Sequence, residues 1–408
     1  MNKTILAVLL AFLVPAAARA NGYSVPNVNP KDLGVAGSAV AAQGDAAATF
    51  ANPAALSKLS PGLHLSLAGS LLDLHSEWKG LDGASAETNF APVPPPALFA
   101  AWGGKLLGRG VGVGLGLNTP AGGIVDWDED WDGRFHILEV DRKVYAGYLT
   151  AGVEVFPWLR LGGGAVYYHT TEELSQKMNA LGEEVLGEIS TAGGALSYDV
   201  SAEIQIPKTP VTIGVDYKHK AHQDLEGEAH FSNVPEALEP NLPDQDASHE
   251  LIFPNTLNVG VAVQATERLR LTGSYTYDRY QVYTEDRFSG DLGTEVVVDR
   301  RYDDGHTFRL GAEYQATKKL QVRGGILRDV SGLREDTFSP SLPDGDTWAG
   351  SVGASWAFRP NLALHSALFF APFDTVETDP NGDNFQGSYE TRATIFALGV
   401  TWSPAFGQ

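Results

Sequence analysis

One rhythm constrains this chain more than any other feature. Strand-like segments, in which apolar and polar residues alternate, are joined by connections that are short and long in turn. In HTFRLGAEYQ, Phe308, Leu310, Ala312 and Tyr314 fall on one face, and Arg309, Glu313 and Gln315 on the other. DTWAGSVGASWAF sets Trp348, Val352, Trp356 and Phe358 against Ala349, Ser351, Gly353 and Ser355. Period two belongs to strands whose two faces meet different surroundings. About fourteen such segments follow one another from residue 62 to residue 403. Short turns fall at Gly103–Gly110, Pro157–Trp158, Pro207–Thr209, Ala265–Glu267, Thr317–Lys319 and Arg359–Asn361. Long polar loops fall near 79–94, 120–137, 172–193, 230–248, 286–301, 330–345 and 377–386. A two-sheet sandwich has no reason to gather its long loops at one end. A transmembrane antiparallel β-barrel of the outer-membrane type does, with short periplasmic turns and long extracellular loops. Trp102, Trp158, Trp348, Trp356 and Trp402 lie at or near segment ends, where an interfacial aromatic girdle belongs. An all-β fold, a barrel of about 14 strands in the outer membrane of a Gram-negative bacterium, is expected.

The first sixty residues do not share this pattern. Lys3, the apolar run Ile5 to Val14 and the small-x-small Ala18-Arg19-Ala20 read as a secretory signal peptide over residues 1–20. Residues 21–60 lack alternation, are rich in Ala and Gly, and contain short helix-like pieces. They are expected to form a small helical hatch inside the barrel, with the barrel itself spanning 61–408. The run of alternate glycines from Gly110 to Gly116 fits a strand that faces something bulky within the lumen. With no cysteine in the chain, disulfides and thiol chemistry are excluded. A formal charge of −21 argues against nucleic acid as a partner.

Four ordered stretches resemble one family. DLGVAGSAVAAQGDAAATFANPAAL is similar to the N-terminal hatch of the FadL/TodX family of outer-membrane transporters for long-chain fatty acids and aromatic hydrocarbons, including its Asn-Pro-Ala motif, here Asn52, Pro53 and Ala54. GLGLNTPAGGIVDWDEDWDGRF resembles the family's third strand and following loop. VTIGVDYKHKAHQDLEGEAHF and GHTFRLGAEYQATKKLQVRGGILRDVSGLREDTFSPSLPDGD resemble later strands. The resemblance implies a plugged barrel that passively takes up hydrophobic small molecules and releases them sideways into the membrane, through a wall opening at a kinked third strand. It implies no catalysis and no cofactor, a monomer in outer-membrane lipid, and a latch role for Asn52, Pro53 and Ala54 against that strand. Lys218 stands where the family has Arg, so charge is kept but the bidentate fork is lost.

The residues themselves suggest where to look. Asn118, Pro120, Gly122 and Gly123 mark the wall opening, because proline removes a ladder donor and glycine permits non-strand dihedrals. Lys218 and Arg309 are candidate cations for a ligand head group. TEELSQKMNALGEEVLGEIS, residues 171–190, has helical spacing, with Leu174, Met178, Leu181, Val185 and Leu186 forming an apolar stripe. Met178 and Leu181, with Trp131, are candidates for an entrance groove. DWDEDWDGRFHILEV, residues 126–140, has calcium-loop spacing at Asp128, Asp130, Asp132 and Glu139, but strands rather than helices flank it. It is better read as a loop that shapes the entrance, with no metal. Two other readings remain: a polar porin or structural barrel, marked by a wide open lumen, and an outer-membrane lipase, marked by a Ser–His contact near the rim.

Overall fold

The computed structural model describes residues 25, 28–291, 295–378 and 385–404. The expected signal peptide and the first residues of the expected hatch lie outside them. Fourteen antiparallel strands close into one barrel. In chain order they are β1 (Gly62–Lys79), β2 (Pro96–Leu106), β3 (Arg109–Asp126), β4 (Glu139–Phe156), β5 (Leu159–Ala180) and β6 (Glu183–Gln205). Four interrupted strands follow: β7 (Val211–Lys218 and Ala221–Ser232), β8 (Gln245–Phe253 and Thr256–Gln264), β9 (Leu269–Asp278 and Glu285–Gly290) and β10 (Glu295–Asp299 and Gly305–Gln315). The series ends with β11 (Leu320–Val330), β12 (Thr347–Arg359), β13 (Leu362–Pro372) and β14 (Ser388–Trp402). Closure is direct: β14 pairs with β1 from Leu65↔Trp402 to Lys79↔Ser388, so neither strand is left with a bare edge.

Alternation sets the two faces. Leu67, Leu71, Leu115, Leu149, Val352, Leu368 and Leu398 point outward and are exposed, as hydrocarbon-facing residues should be. Trp102, Trp158, Trp348 and Trp356 are exposed with them. Ser66, Ser201, Thr272, Ser351 and Ser355 point inward and are buried. No helix of the described residues is long and apolar enough to cross a membrane; the crossing is made by strands.

The lumen holds the N-terminal segment. Asn29 caps α1 (Pro30–Leu33) by accepting from the Lys31 amide at 3.0 Å, with proline in the first turn where its missing N–H costs nothing. Next come α2 (Ala48–Ala51) and a 3₁₀ turn, Pro53–Lys58. Their contacts reach opposite sides of the wall. The Ala36 amide donates to Ser351 Oγ on β12 at 2.9 Å, and the Ala54 amide to Ser201 Oγ on β6 at 2.9 Å. Lumen glycines make room for this backbone. A Cβ at Gly112, Gly162 or Gly325 would come within 2.3 Å of Leu56 O, Ala54 N or Val35 C respectively. The alternate glycines of β3 therefore do face something bulky.

One expected element is overturned. Residues 171–190 are neither a loop nor helical: β5 and β6 continue as a hairpin, paired from Ala180↔Glu183 through Thr171↔Ala192. The turn is Leu181-Gly182, both at positive φ (58° and 91°), as a two-residue hairpin turn requires. Cross-strand pairs such as Met178↔Val185 and Leu174↔Ile189 join the apolar residues that had looked like a helical stripe.

Candidate functional site

Between the N-terminal segment and the long loops lies a cavity of about 750 Å³. Its upper wall includes Leu174, Met178 and Phe231; deeper, Tyr168 stacks on Phe253 at 5.4 Å, and Phe50 meets Tyr148 edge-on at 5.5 Å. The cavity also reaches the wall at Pro120, Ala121, Gly122 and Gly123.

At that point the barrel ladder changes. The β2–β3 pairing ends at Ala97↔Asn118. Further up, β2 has no strand to offer, because Pro94, Pro95 and Pro96 precede its pairing residues. The β3–β4 pairing jumps from Asn118↔Ala146 to Ala121↔Val144, leaving one extra residue in β3 as a bulge. Gly122 sits at φ +120°, and a Cβ there would lie 2.3 Å from Arg142 O, so only glycine suits this turn of the chain. The side-chain oxygens Asn118 Oδ1 and Thr119 Oγ1 are buried at the break without hydrogen-bond partners. The Val25 amide donates to Pro120 O at 3.0 Å, bringing the N-terminal segment onto the bulge.

Asn52, Pro53 and Ala54 lie elsewhere. Asn52 Nδ2 donates to Val40 O at 3.1 Å and to Ala202 O on β6 at 3.3 Å. Pro53 and Ala54 rest over Gly152 on β4 and Gly162 on β5. The motif is tied to β4–β6, while the kinked part of β3 is met by Val25.

The two candidate cations both line the cavity: Lys218 is held in an ion pair, while Arg309 has a hydroxyl partner. Lys218 Nζ lies 2.5 Å from Asp216 Oδ2, donates to Phe50 O at 2.7 Å and sits 4.7 Å from the centre of the Phe50 ring. Arg309 donates to Thr276 Oγ1 and lies in the field of Asp329, Asp278 and Asp32. Period two alone places Asp216 beside Lys218 on one strand face, a signal that reading the lysine by itself had missed.

A second charged group closes the upper wall. Glu172 accepts from Arg142 Nε at 2.6 Å and faces His249 Nδ1 at 2.5 Å. Asp286 faces His249 Nε2 at 3.1 Å and accepts from Arg300 Nε at 2.8 Å. With a carboxyl group facing each ring nitrogen, a doubly protonated His249 ring can donate to both. The group joins β4, β5, β8, β9 and the turn after the first piece of β10, and nothing in the sequence pattern announced it.

Of the three entrance candidates, Met178 lines the cavity. Leu181 is 74 % exposed at the hairpin tip, away from the cavity. Trp131 is buried, stacked on Trp127 with ring centres 4.3 Å apart, and donates to Ile137 O at 2.8 Å. It braces the loop from within, while Phe135, His136 and Ile137 of the same loop face the cavity. Asp128, Asp130 and Asp132 are exposed. Arg134 instead pairs with Glu184 on β6 at 2.8 Å. Among the described residues the group with metal-ligand proximity is His75, Glu77 and Glu87, none of them in this loop. The Ser–His contacts, Ser355–His365 at 2.6 Å and Ser60–His64 at 3.4 Å, lie at the short-turn end, not at the loop rim.

Comparison with known proteins agrees with this architecture. The sequence profile described as "Outer membrane protein transport protein (OMPP1/FadL/TodX)" matches residues 11–403. Outer membrane protein P1 of Haemophilus influenzae is 23 % identical, covering 89 % of this chain and 88 % of that protein. The crystal structure of a Pseudomonas aeruginosa FadL homologue superimposes with a TM-score of 0.86 at 19 % identity, covering 94 % of this chain and 100 % of that one. The P. putida toluene transporter TodX superimposes at 0.73 with 15 % identity, covering 95 % and 100 %.

Proposed function

The chain belongs to the OMPP1/FadL/TodX family of outer-membrane transport proteins, and from that premise we propose that it takes up hydrophobic small molecules, aromatic hydrocarbons ahead of long-chain fatty acids, by binding them in the lumen and releasing them sideways at the bulge in β3. Residues 28–60 act as the hatch that denies a straight aqueous path, and the barrel works as a monomer. The observation that carries this reading is the coincidence of two features: the cavity reaches Pro120–Gly123, where β2–β3 pairing has stopped.

The physics favours that route. An apolar solute gains nothing from a water-filled pore, because its preferred phase is the bilayer. Leaving through the wall avoids rehydrating the alkyl chain, which costs roughly 0.8 kcal/mol for each CH₂. A polar porin needs a continuous wet lumen, whereas here the Ala36 and Ala54 amides hold the segment across it. The commitment of Lys218 to Asp216 and Phe50 O, and the carboxylates around Arg309, favour neutral solutes over carboxylates.

Deleting Pro120 tests the route. The deletion removes the extra residue, restoring Asn118↔Ala146, Thr119↔Tyr145 and Ala121↔Val144 in unbroken register. Uptake of a neutral hydrophobic solute by cells carrying the variant is expected to fall to that of cells lacking the protein, with the barrel still folded by gel shift on heating. Uptake at the full rate through the straightened strand would refute lateral release.

A further inference from the structure

Resting on the lumen-uptake reading, a second chemistry lies at the polar side of the same cavity. Tyr148, Asp199 and Asp216 are 3 %, 1 % and 0 % exposed. They share one inward patch, since Asp199 stands opposite Lys218 in the β6–β7 ladder and Asp216 precedes that lysine by two residues. The ammonium of Lys218 is committed to Asp216 Oδ2 and Phe50 O. What remains unpartnered can all accept a hydrogen bond. Asp216 Oδ1, both oxygens of Asp199 and the Tyr148 hydroxyl have no hydrogen-bond partner in good geometry. The Asn258 side chain flanks Asp216 and the Gly164 amide flanks Asp199, without completing the set. Two carboxyl groups share one ammonium, so the patch holds more carboxylate oxygens than its single cation satisfies.

Tyr148 and Asp216 both line the cavity, as do the rings of Phe50, Tyr168 and Phe253. A solute lying along those rings would bring its polar end to acceptors that lack donors. A carboxylate would be a third carboxyl group beside one ammonium that is already committed, and buried like charges repel strongly. A hydroxyl supplies a donor, and an ammonium supplies several donors together with a charge opposite to a carboxylate's. We infer that this cavity recognises amphiphiles whose polar end donates hydrogen bonds, primary alkylamines foremost and alcohols next, and that it discriminates against carboxylates.

The test uses the purified full chain in detergent, loaded with a neutral fluorescent hydrocarbon and titrated with decylamine, decanol and decanoate. Decylamine is expected to displace the probe at a concentration about tenfold below that of decanoate, with decanol between them. Two variants, Asp216→Asn and Tyr148→Phe, are titrated beside the wild type after a gel shift on heating shows that each is folded. The second removes one hydroxyl and leaves the Asp216–Lys218 pair in place. In both, the ratio of decanoate to decylamine midpoints should fall toward one; because each ratio is taken within one variant, any change in probe affinity cancels. Decanoate equal to decylamine on the wild type, or an undiminished ratio in both variants, overturns the inference and leaves lumen uptake standing. A wild-type protein that does not bind the hydrocarbon probe at all overturns both.

Discussion

Gly112→Ala should dislodge the N-terminal segment while leaving the barrel closed. On β3 this glycine faces the 3₁₀ turn, and an added Cβ would lie 2.3 Å from Leu56 O, 2.7 Å from Leu56 C and 2.9 Å from Leu56 Cβ. Real Cβ contacts do not go below 3.0 Å, so one backbone must retreat by at least 0.7 Å. The strand cannot yield easily, since Gly112 is laddered on both sides, to Gly103 and to Gly152. The turn is held less widely, chiefly by the Ala54 amide on Ser201 and by Lys58 on Glu203 at 2.5 Å. Overpacking of this kind costs about 1–3 kcal/mol. Charged to the docked segment alone, that raises its undocked population about 5- to 150-fold. Limited trypsin digestion in detergent, followed at Lys58, reads that population, with Gly69→Ala as a control because nothing lies within 4 Å of a Cβ there. Faster cleavage in Gly112→Ala than in the control, with the heat-shifted band of the closed barrel retained, is the expected result. Equal cleavage rates would mean that the lumen glycines do not hold this segment in place.

Other perturbations follow from the same geometry. Gly122→Val, at φ +120° and against Arg142 O, should distort the bulge and lower uptake of a neutral solute, measured in cells beside a variant with the same change at the unhindered Gly350. Lys218→Ala leaves Asp216 buried without its cation, so the thermal midpoint should drop by an amount equivalent to about 3–5 kcal/mol. Stability unchanged in that variant would mean the pair is not buried as described. Trp131→Ala removes the stack on Trp127 and the bond to Ile137 O, and should cost the loop about 3–5 kcal/mol, read as protease sensitivity near Arg134. Desolvation at the cavity wall holds the His136 imidazole below its ordinary pKa of 6.5. Its folded pKa is depressed, so its contribution to loop stability is present above pH 6.5 and is lost as pH falls through the lower folded value. Tryptophan emission from the loop should shift on acidification in the wild type and not in His136→Phe.

The barrel was legible because its determinants are local. Alternation of period two, glycine and proline turns and end-placed tryptophans each act over a few residues, and each survives in the structure at Trp348, Val352 and Trp356 on the outer face. The 171–190 hairpin was misread because four- and three-residue spacings of Leu174, Met178 and Leu181 satisfy a helix as well as they satisfy nothing else in isolation. Only the partner strand decides, by placing Val185 across from Met178. The missed clue was Gly182, which can take φ +91° beside Leu181 and so reverse the chain in two residues.

The site was legible only where backbone chemistry marks it. Proline and paired glycines at 120–123 announce a ladder defect by what they cannot do, and the ladder fails there. Charged residues carry no such mark, because their meaning lies in what stands opposite. Lys218 read alone is a ligand cation. Beside Asp216, which alternation puts next to it, and Asp199, which only the β6–β7 register brings across, it becomes the minority charge in a buried acidic patch. Sequence resemblance carries the lysine's position but not the sign of its surroundings. Substrate choice in a barrel of this kind therefore has to be argued from the lumen's charge balance, strand by strand, and not from the presence of a cation at a matching position.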